Sequence, residues 1–309
     1  VNLAPLMGIV NAAAPPGVSY SLGTFTTSPS EDQATGANAI FLRNGRVLEL
    51  PAGHKDIFTG AGRNTDRWWL QLVGYSSPQA RFYVYGSHLR ASSGSANEQQ
   101  RLEGVQAIRA DADQLAANTP IIYSGDMNFY TANESGYQWW ISVPGNGIAV
   151  DVQPGEWTGI VNSIKHTQSP RNIMAGGLIG GGMDDRFDMP LFSTTMVDGA
   201  GLAVIPDTYR SFGNDGLKWK KAINDGNNFY FPGQLARSNA LADALFDASD
   251  HVPVVVDLQL PAVHESWLAA QPGKVIRNAS VAVEFRTLYA LSVVSPPGVG
   301  PPRLVPVGQ

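Results

Sequence analysis

The 309-residue chain contains no cysteine, so neither disulfides nor thiolate metal sites can support its fold. A cysteine-free chain is compatible with secretion without requiring it. Long apolar runs are also missing. The nearest, residues 252–258, is strand-sized and holds Pro253 and Asp257, so no membrane span is expected. Positive charge is scarce: 21 Lys and Arg against 26 Asp and Glu leave a formal net charge of −5. Proteins that depend on non-specific phosphate contacts usually carry a basic surface. The composition counts modestly against a dedicated DNA-binding role and leaves room for a local basic groove. The glycine-rich run 175–182 lacks the Lys-Ser/Thr ending of a P-loop and reads as a loop. Neither an initiator methionine nor a signal-peptide pattern stands at Val1, as expected of a processed chain or a fragment.

What is present is a composition able to fold. A hydrophobic fraction of 43% with 15% charged residues excludes disorder, and this length suffices for one large core plus a small appendage. Residues 1–14 read as the end of a helix running into the Pro15-Pro16-Gly17 turn, with short strands at 18–22 and 37–42. A strand pair at 68–73 and 81–87 is joined by Ser76-Ser77-Pro78. In its second member Phe82 and Val84 alternate with Tyr83 and Tyr85, as a half-buried strand requires. In the clearest helix, Ser95 and Glu98 predict a capping box, and Leu102, Val105, Ile108, Ala112 and Leu115 recur at helical spacing until Pro120. Ile121-Ile122-Tyr123 then reads as a short buried strand ending at Gly125-Asp126, which is α/β organisation. Residues 144–206 are irregular apart from a strand-like stretch at 187–192. A polar loop, 214–228, precedes a short helix near 238–245 and a closing strand at 252–260. Beyond Pro261, residues 274–282 and 283–294 read as strands and 296–306 are proline-rich. They suggest either the first strands of an appended β-sandwich-like module or a strap on the main domain. The expected division is therefore 1–260 for the main domain and 261–309 for a β-rich extension.

Four polar clusters sit at predicted strand ends: Gly86-Ser87-His88-Leu89, Ser124-Gly125-Asp126-Met127-Asn128, Asp184-Asp185-Arg186-Phe187-Asp188 and Ser249-Asp250-His251. A helix bearing Glu98 and Arg101 lies between the first two. Gathered on one rim, these groups suit phosphoryl-ester hydrolysis. Asp126 and Asp250 offer carboxylate oxygens to a hard divalent cation. Asp126 with Asn128 is placed to orient a water, while His88, His251 and Asn128 offer donors to the developing charge on phosphorus. Asp188 is a candidate to fix the tautomer of His251.

Here a resemblance becomes specific. Gly125-Asp126-Met127-Asn128 resembles the GDxN motif of the endonuclease/exonuclease/phosphatase (deoxyribonuclease I-like) family, and Ser249-Asp250-His251 resembles its SDH motif before an apolar strand. Arg186-Phe187-Asp188 is similar to the intervening R-[IL]-D segment. Ser87-His88-Leu89 resembles the strand-end histidine that precedes an arginine- and glutamate-bearing helix. Order and rough spacing agree over about residues 15–260. The resemblance implies that Asp126 orients or deprotonates the water and that Asn128 holds phosphate and water. It makes His251 a general acid or charge stabiliser paired with Asp188, sets Asp250 at the metal, and brings His88 against the phosphate from the opposite side. It also implies Mg²⁺ or Mn²⁺, with Ca²⁺ as an alternative. The family's metal-anchoring glutamate, usually in a Gln-Glu pair, has no counterpart here. The family's first strands are thus expected to be absent, or supplied by another chain or segment.

The resulting expectation is a four-layer α/β sandwich, two packed mixed sheets flanked by helices. Its function would be metal-dependent phosphodiester hydrolysis, as in an extracellular nuclease acting on nucleic acid. Alternatives are a phosphatase or phospholipid-head-group phosphodiesterase, or a non-catalytic structural or adhesion module that kept the fold. Blander readings stand beside the sharp ones. Asp126 and Asn128 alone would make an Asx-type turn, and Asp188 alone an ordinary salt bridge. Asp184 and Asp185 read as loop solvation or as support for the site. His166 reads as part of a hydrogen-bonded loop, His54 and His264 as surface residues, Trp68-Trp69 and Trp139-Trp140 as packing rather than base stacking. Asn38 is a candidate to face the substrate.

Overall fold

Alternation along the central strands decides which face of the sheet meets helices. The computed structural model describes residues 3–26, 38–60, 63–75 and 78–260. All of them but Leu260 belong to one compact unit, Val1–Gln259. The strands and proline-rich tail expected after Pro261, and His264, lie outside the described residues. In chain order the elements are α1 (Leu3–Ala13), β1 (Tyr20–Leu22), β2 (Phe41–Arg43), β3 (Val47–Glu49), β4 (Lys55–Ile57), β5 (Thr65–Leu72), β6 (Arg81–His88), α2 (Ser95–Ala112), β7 (Ile121–Asp126), α3 (Ser135–Ser142), β8 (Ala149–Val150), β9 (Leu191–Ser193), β10 (Ala203–Val204), β11 (Arg210–Ser211), α4 (Leu235–Ala248), β12 (Val254–Val255) and β13 (Leu258–Gln259).

The main sheet has the order β3-β5-β6-β7-β9-β8, with β4 also pairing β5. It is mixed: β6 and β7 run parallel and the other pairs antiparallel. Tyr85, Ile121, Tyr123 and Leu191 pack with Val105, Ile108 and Ala112 of α2 and with Tyr137 and Trp140 of α3 in one core. Because side chains alternate along a strand, His88 and Asp126 fall on the face away from these helices. The remaining strands form two-stranded ladders, β1–β2, β10–β13 and β11–β12. Met183, Ile223 and Val252 make a second core beneath Ala242 and Leu245 of α4. The expected class, mixed α/β with packed sheets and flanking helices, is the one observed.

Several local expectations change. The capping box is not formed: Gly94 is the N-cap of α2, with no side-chain cap, and Ser95 is already helical. The 252–260 strand breaks into β12 and β13, and the 187–192 stretch is regular only at β9. Helix α3 was not anticipated, because its eight residues follow a polar turn. Trp68 and Trp140 are buried, and Trp69 stacks on Tyr83 at 5.8 Å, so packing accounts for these three, whereas Trp139 is exposed. His54 is not a surface residue: only 10% of its side chain is exposed, and it lies against Trp68.

Two buried arginines brace the site loops. Arg101 of α2 grips both carboxylate oxygens of Glu134 (2.8 and 3.0 Å) and donates to the Arg90 and Ser92 carbonyls. Glu134 Oε1 also accepts the Tyr130 N–H (2.7 Å), so the segments following β6 and β7 share one anchor. Removing one partner of such a buried pair strands the other's charge. Glu134→Ala is therefore expected to destabilise the fold by about 3–5 kcal/mol in urea unfolding; a loss below about 1 kcal/mol would contradict this role.

Candidate active site

Gly125 lets two strand ends meet. Its φ is +138°, and a Cβ there would lie 1.9 Å from the Ser87 carbonyl oxygen, so only glycine permits this approach of β7 to β6. The parallel register then sets His88 against Asp126, and an isolated bridge sets Asp126 against Asp188. Asn128 adopts a left-handed φ of 53°, a conformation that asparagine tolerates better than most residues. Its N–H donates to Asp126 Oδ1 (3.1 Å) and its side-chain amide to the Leu89 carbonyl (3.3 Å). The Asx-type turn and the motif are therefore one arrangement, which holds one oxygen of Asp126 and leaves the other facing two histidines.

His251 comes from the far end of the domain. Ser249 Oγ accepts its N–H at 3.1 Å. Its Nδ1 lies 2.6 Å from Asp188 Oδ2, and its Nε2 lies 3.9 Å from Asp126 Oδ2. His88 Nε2 approaches the same Asp126 oxygen at 3.3 Å. His88, Asp126, Asn128, Asp188 and His251 thus meet at one rim. Asp250 is turned elsewhere: its Oδ2 accepts the Ile179 N–H of the glycine-rich loop at 2.8 Å. Asn38 lies over Gly86 and donates to the Asn64 carbonyl. His166 is fully buried, bonded to the Met183 and Trp157 carbonyls, in the structural role expected of it.

These surroundings divide the protonation states. Burial pushes His88 down to about 4, helped by the charges of Arg63 and His251, so it is neutral at pH 7. For Asp126, burial and then the charge of Asp188 push the carboxyl well above the usual range, against the pull of His251. Burial disfavours the cationic form of His251, but the hydrogen bond and charge of Asp188, with Asp126 and Asp250, outweigh it and raise the imidazole to about 9. A neutral imidazole, a proton-hungry carboxylate and an imidazolium on one rim are groups able to exchange protons near neutrality.

The chain is similar to solved structures of the endonuclease/exonuclease/phosphatase family. The human Nocturnin catalytic domain with bound sulfate matches at 16% identity and a TM-score of 0.45, over 84% of this chain and 76% of that one. An endonuclease/exonuclease/phosphatase family protein from Bacteroides thetaiotaomicron matches at 15% identity and 0.44, over 79% and 73% respectively. D. rerio TDP2 complexed with a single-strand DNA product matches at 15% identity and 0.43, over 72% of each chain. No family model matches the sequence, and no curated protein does.

Two participants carried no signal of their own in the sequence. Gln168 sets its amide 2.7 Å from His251 Nε2. Thr167 Oγ1 accepts the N–H groups of Phe187 and Asp188, each at 3.1 Å. Both sit in the polar loop around His166, where only the histidine stood out. Arg186, of the Arg-Phe-Asp segment, is buried in a two-pronged pair with Asp151 (2.7 and 2.9 Å), which anchors the segment presenting Asp188.

Among the described residues, the group of three or more ligand-type side chains with donor atoms within 4.8 Å of one another is His54, Asp56 and Asp66. Asp56 and Asp66 face each other across β4 and β5, and the Thr26 hydroxyl donates to Asp56 (2.6 Å).

The Asp188–His251 bond has a testable pH signature. The folded-state pKa of His251 lies above its ordinary value, so the stabilisation is complete below about 6.5 and lost as pH rises through about 9. Asp188→Asn should cost on the order of 2 kcal/mol near pH 6, discounted for partial solvent access, and progressively less towards pH 10. Urea unfolding at both values would show this; a pH-independent deficit would rule out the linkage.

Proposed function

We propose that this chain is a phosphodiester hydrolase that uses water as nucleophile, with nucleic acid as its substrate class and Mg²⁺ or Mn²⁺ as cofactor. The observation behind this reading is the convergence of His88 and Asp126 from neighbouring strands with Asp188 from the segment before β9, and with His251 folded over them at 2.6 Å from Asp188 and 3.9 Å from Asp126. In the proposed step the water oxygen attacks phosphorus while Asp126, held at the rim beside His88 and His251, takes the water's proton. The bond from phosphorus to the leaving oxygen breaks, and the protonated His251 supplies that oxygen with a proton. Neutral His88 bonds to the phosphoryl group from the other side of Asp126, and Asn128 holds the turn that aims the carboxylate.

The donor set suits a hard cation. Asp126 and Asp250 are the carboxylates that would hold an Mg²⁺-type ion, which takes one or two such oxygens. Asp126 is aimed into the rim, whereas Asp250 has one oxygen engaged by the Ile179 N–H. When bound, the cation neutralises charge developing on the phosphoryl oxygens. The engagement of Asp250 with Ile179 favours the rival reading, a module that keeps the fold without catalysis.

Cleavage of plasmid DNA and of bis(p-nitrophenyl) phosphate with Mg²⁺ or Mn²⁺ separates the two. The wild-type chain should turn over both. Asp126→Ala and His251→Ala should each lose about 10²–10⁴-fold, the usual contribution of a general acid or base. Turnover that survives both substitutions, or none by the wild-type chain with either ion, would overturn the assignment.

A further inference from the structure

His251 has two ring nitrogens, and both are occupied. Nδ1 meets Asp188, while Nε2, the nitrogen left for a substrate, lies 2.7 Å from the Gln168 side-chain amide nitrogen. Gln168 is held there by its own backbone. Its N–H donates to the Asp185 carbonyl (3.1 Å), and its carbonyl accepts from Asp184 (2.9 Å) and Asp185 (3.1 Å). Backbone bridges link it to both Asp185 and His251. The preceding Thr167 binds the N–H groups of Phe187 and Asp188 through its hydroxyl and that of Val252 through its carbonyl (2.8 Å). The dipeptide Thr167-Gln168 therefore braces both halves of the Asp188–His251 pair, and only the Gln168 amide reaches into the site.

The chemistry of the side chain matters as much as its place. A carboxamide offers N–H groups on one side and an oxygen on the other, exchanged by a half-turn about its terminal bond. With the imidazole neutral and its proton on Nδ1, Nε2 accepts from the amide N–H. With the imidazole protonated, Nε2–H needs an acceptor, and the turned amide provides one in the same place. A carboxylate could serve only the protonated ring, and a thioether would serve neither well.

We propose that Gln168 is a positioning residue for His251: its amide holds Nε2 in the free protein, yields that nitrogen to a phosphate oxygen, and then donates its own N–H to the same phosphate group. The phosphate half of this proposal rests on the hydrolase reading above.

The test uses the whole chain at one fixed pH, with inorganic phosphate as the probe and imidazole ¹⁵N signals and side-chain amide signals as readouts. In Gln168→Met, similar in size but without the amide, the His251 Nε2 signal should move while Nδ1, still against Asp188, stays. Added phosphate should shift the Gln168 amide signals of the wild-type chain, and the substitution should weaken phosphate binding by about 2- to 10-fold, the range of one net hydrogen bond. Gln168→Glu, which keeps the shape and adds a negative charge, should weaken phosphate further, and it serves should the Met variant fail to fold. An unmoved Nε2 signal in Gln168→Met, Gln168 amide signals indifferent to phosphate, or unchanged phosphate affinity in both variants would overturn the proposal. Absence of diester cleavage by the wild-type chain while these shifts are seen would count against the hydrolase reading alone and support the Gln168–His251 contact independently.

Discussion

The close parallel approach of β6 and β7 determines where every other group of the rim can stand. Side chains at paired positions of adjacent parallel strands point the same way, so the His88–Asp126 register creates a shared face before any loop is considered. The approach depends on Gly125, since a side chain there would run into the Ser87 carbonyl. β9 extends the row: its lead-in brings Asp188 opposite Asp126. His251 then needs only to fold over a line of acidic groups that the sheet has already assembled, and its partner Asp188 is waiting at one end of that line.

Rigidity comes from charges buried in pairs. Arg101 fastens the segments after His88 and Asn128 through Glu134, and Arg186 fastens the Asp188 segment through Asp151 and the Tyr209 hydroxyl. Each guanidinium is fully buried, and its planar fork matches a carboxylate with two bonds at once. Such pairs need not raise stability over an apolar core, but they tolerate little displacement. They are suited to holding loops whose tips carry function.

Much of this was legible before the fold was known. Helix α2 carried a clear period, and the strand ends around His88 and Asp126 followed from short apolar runs stopping at polar residues. His88, Asp126, Asn128, Asp188 and His251 converge from such ends, whereas Asp250 of the same motifs does not. What escaped was set by tertiary contact. Ser95 failed as a cap because the chain enters α2 through Gly94, and β12 and β13 are short because their pairing partners are short. Gln168 was invisible because glutamine in a polar loop has no periodicity or spacing to mark it; its meaning comes from a contact 83 residues away. Asp250, legible as a candidate ligand, turned out to be bonded to a backbone that no pattern could have foretold.

That last bond makes one carboxylate answer to two masters. Ile179 belongs to a glycine-rich segment whose Ala175 and Leu178 bridge each other, and its carbonyl is held by Ser169, next to Gln168. Any ligand that draws Asp250 Oδ2 away must break the hydrogen bond to that segment, and any force that fixes the segment competes with the ligand for the same oxygen. By linkage the two effects are equal in free energy. Loop order and occupancy at Asp250 are thus opposite sides of a single equilibrium.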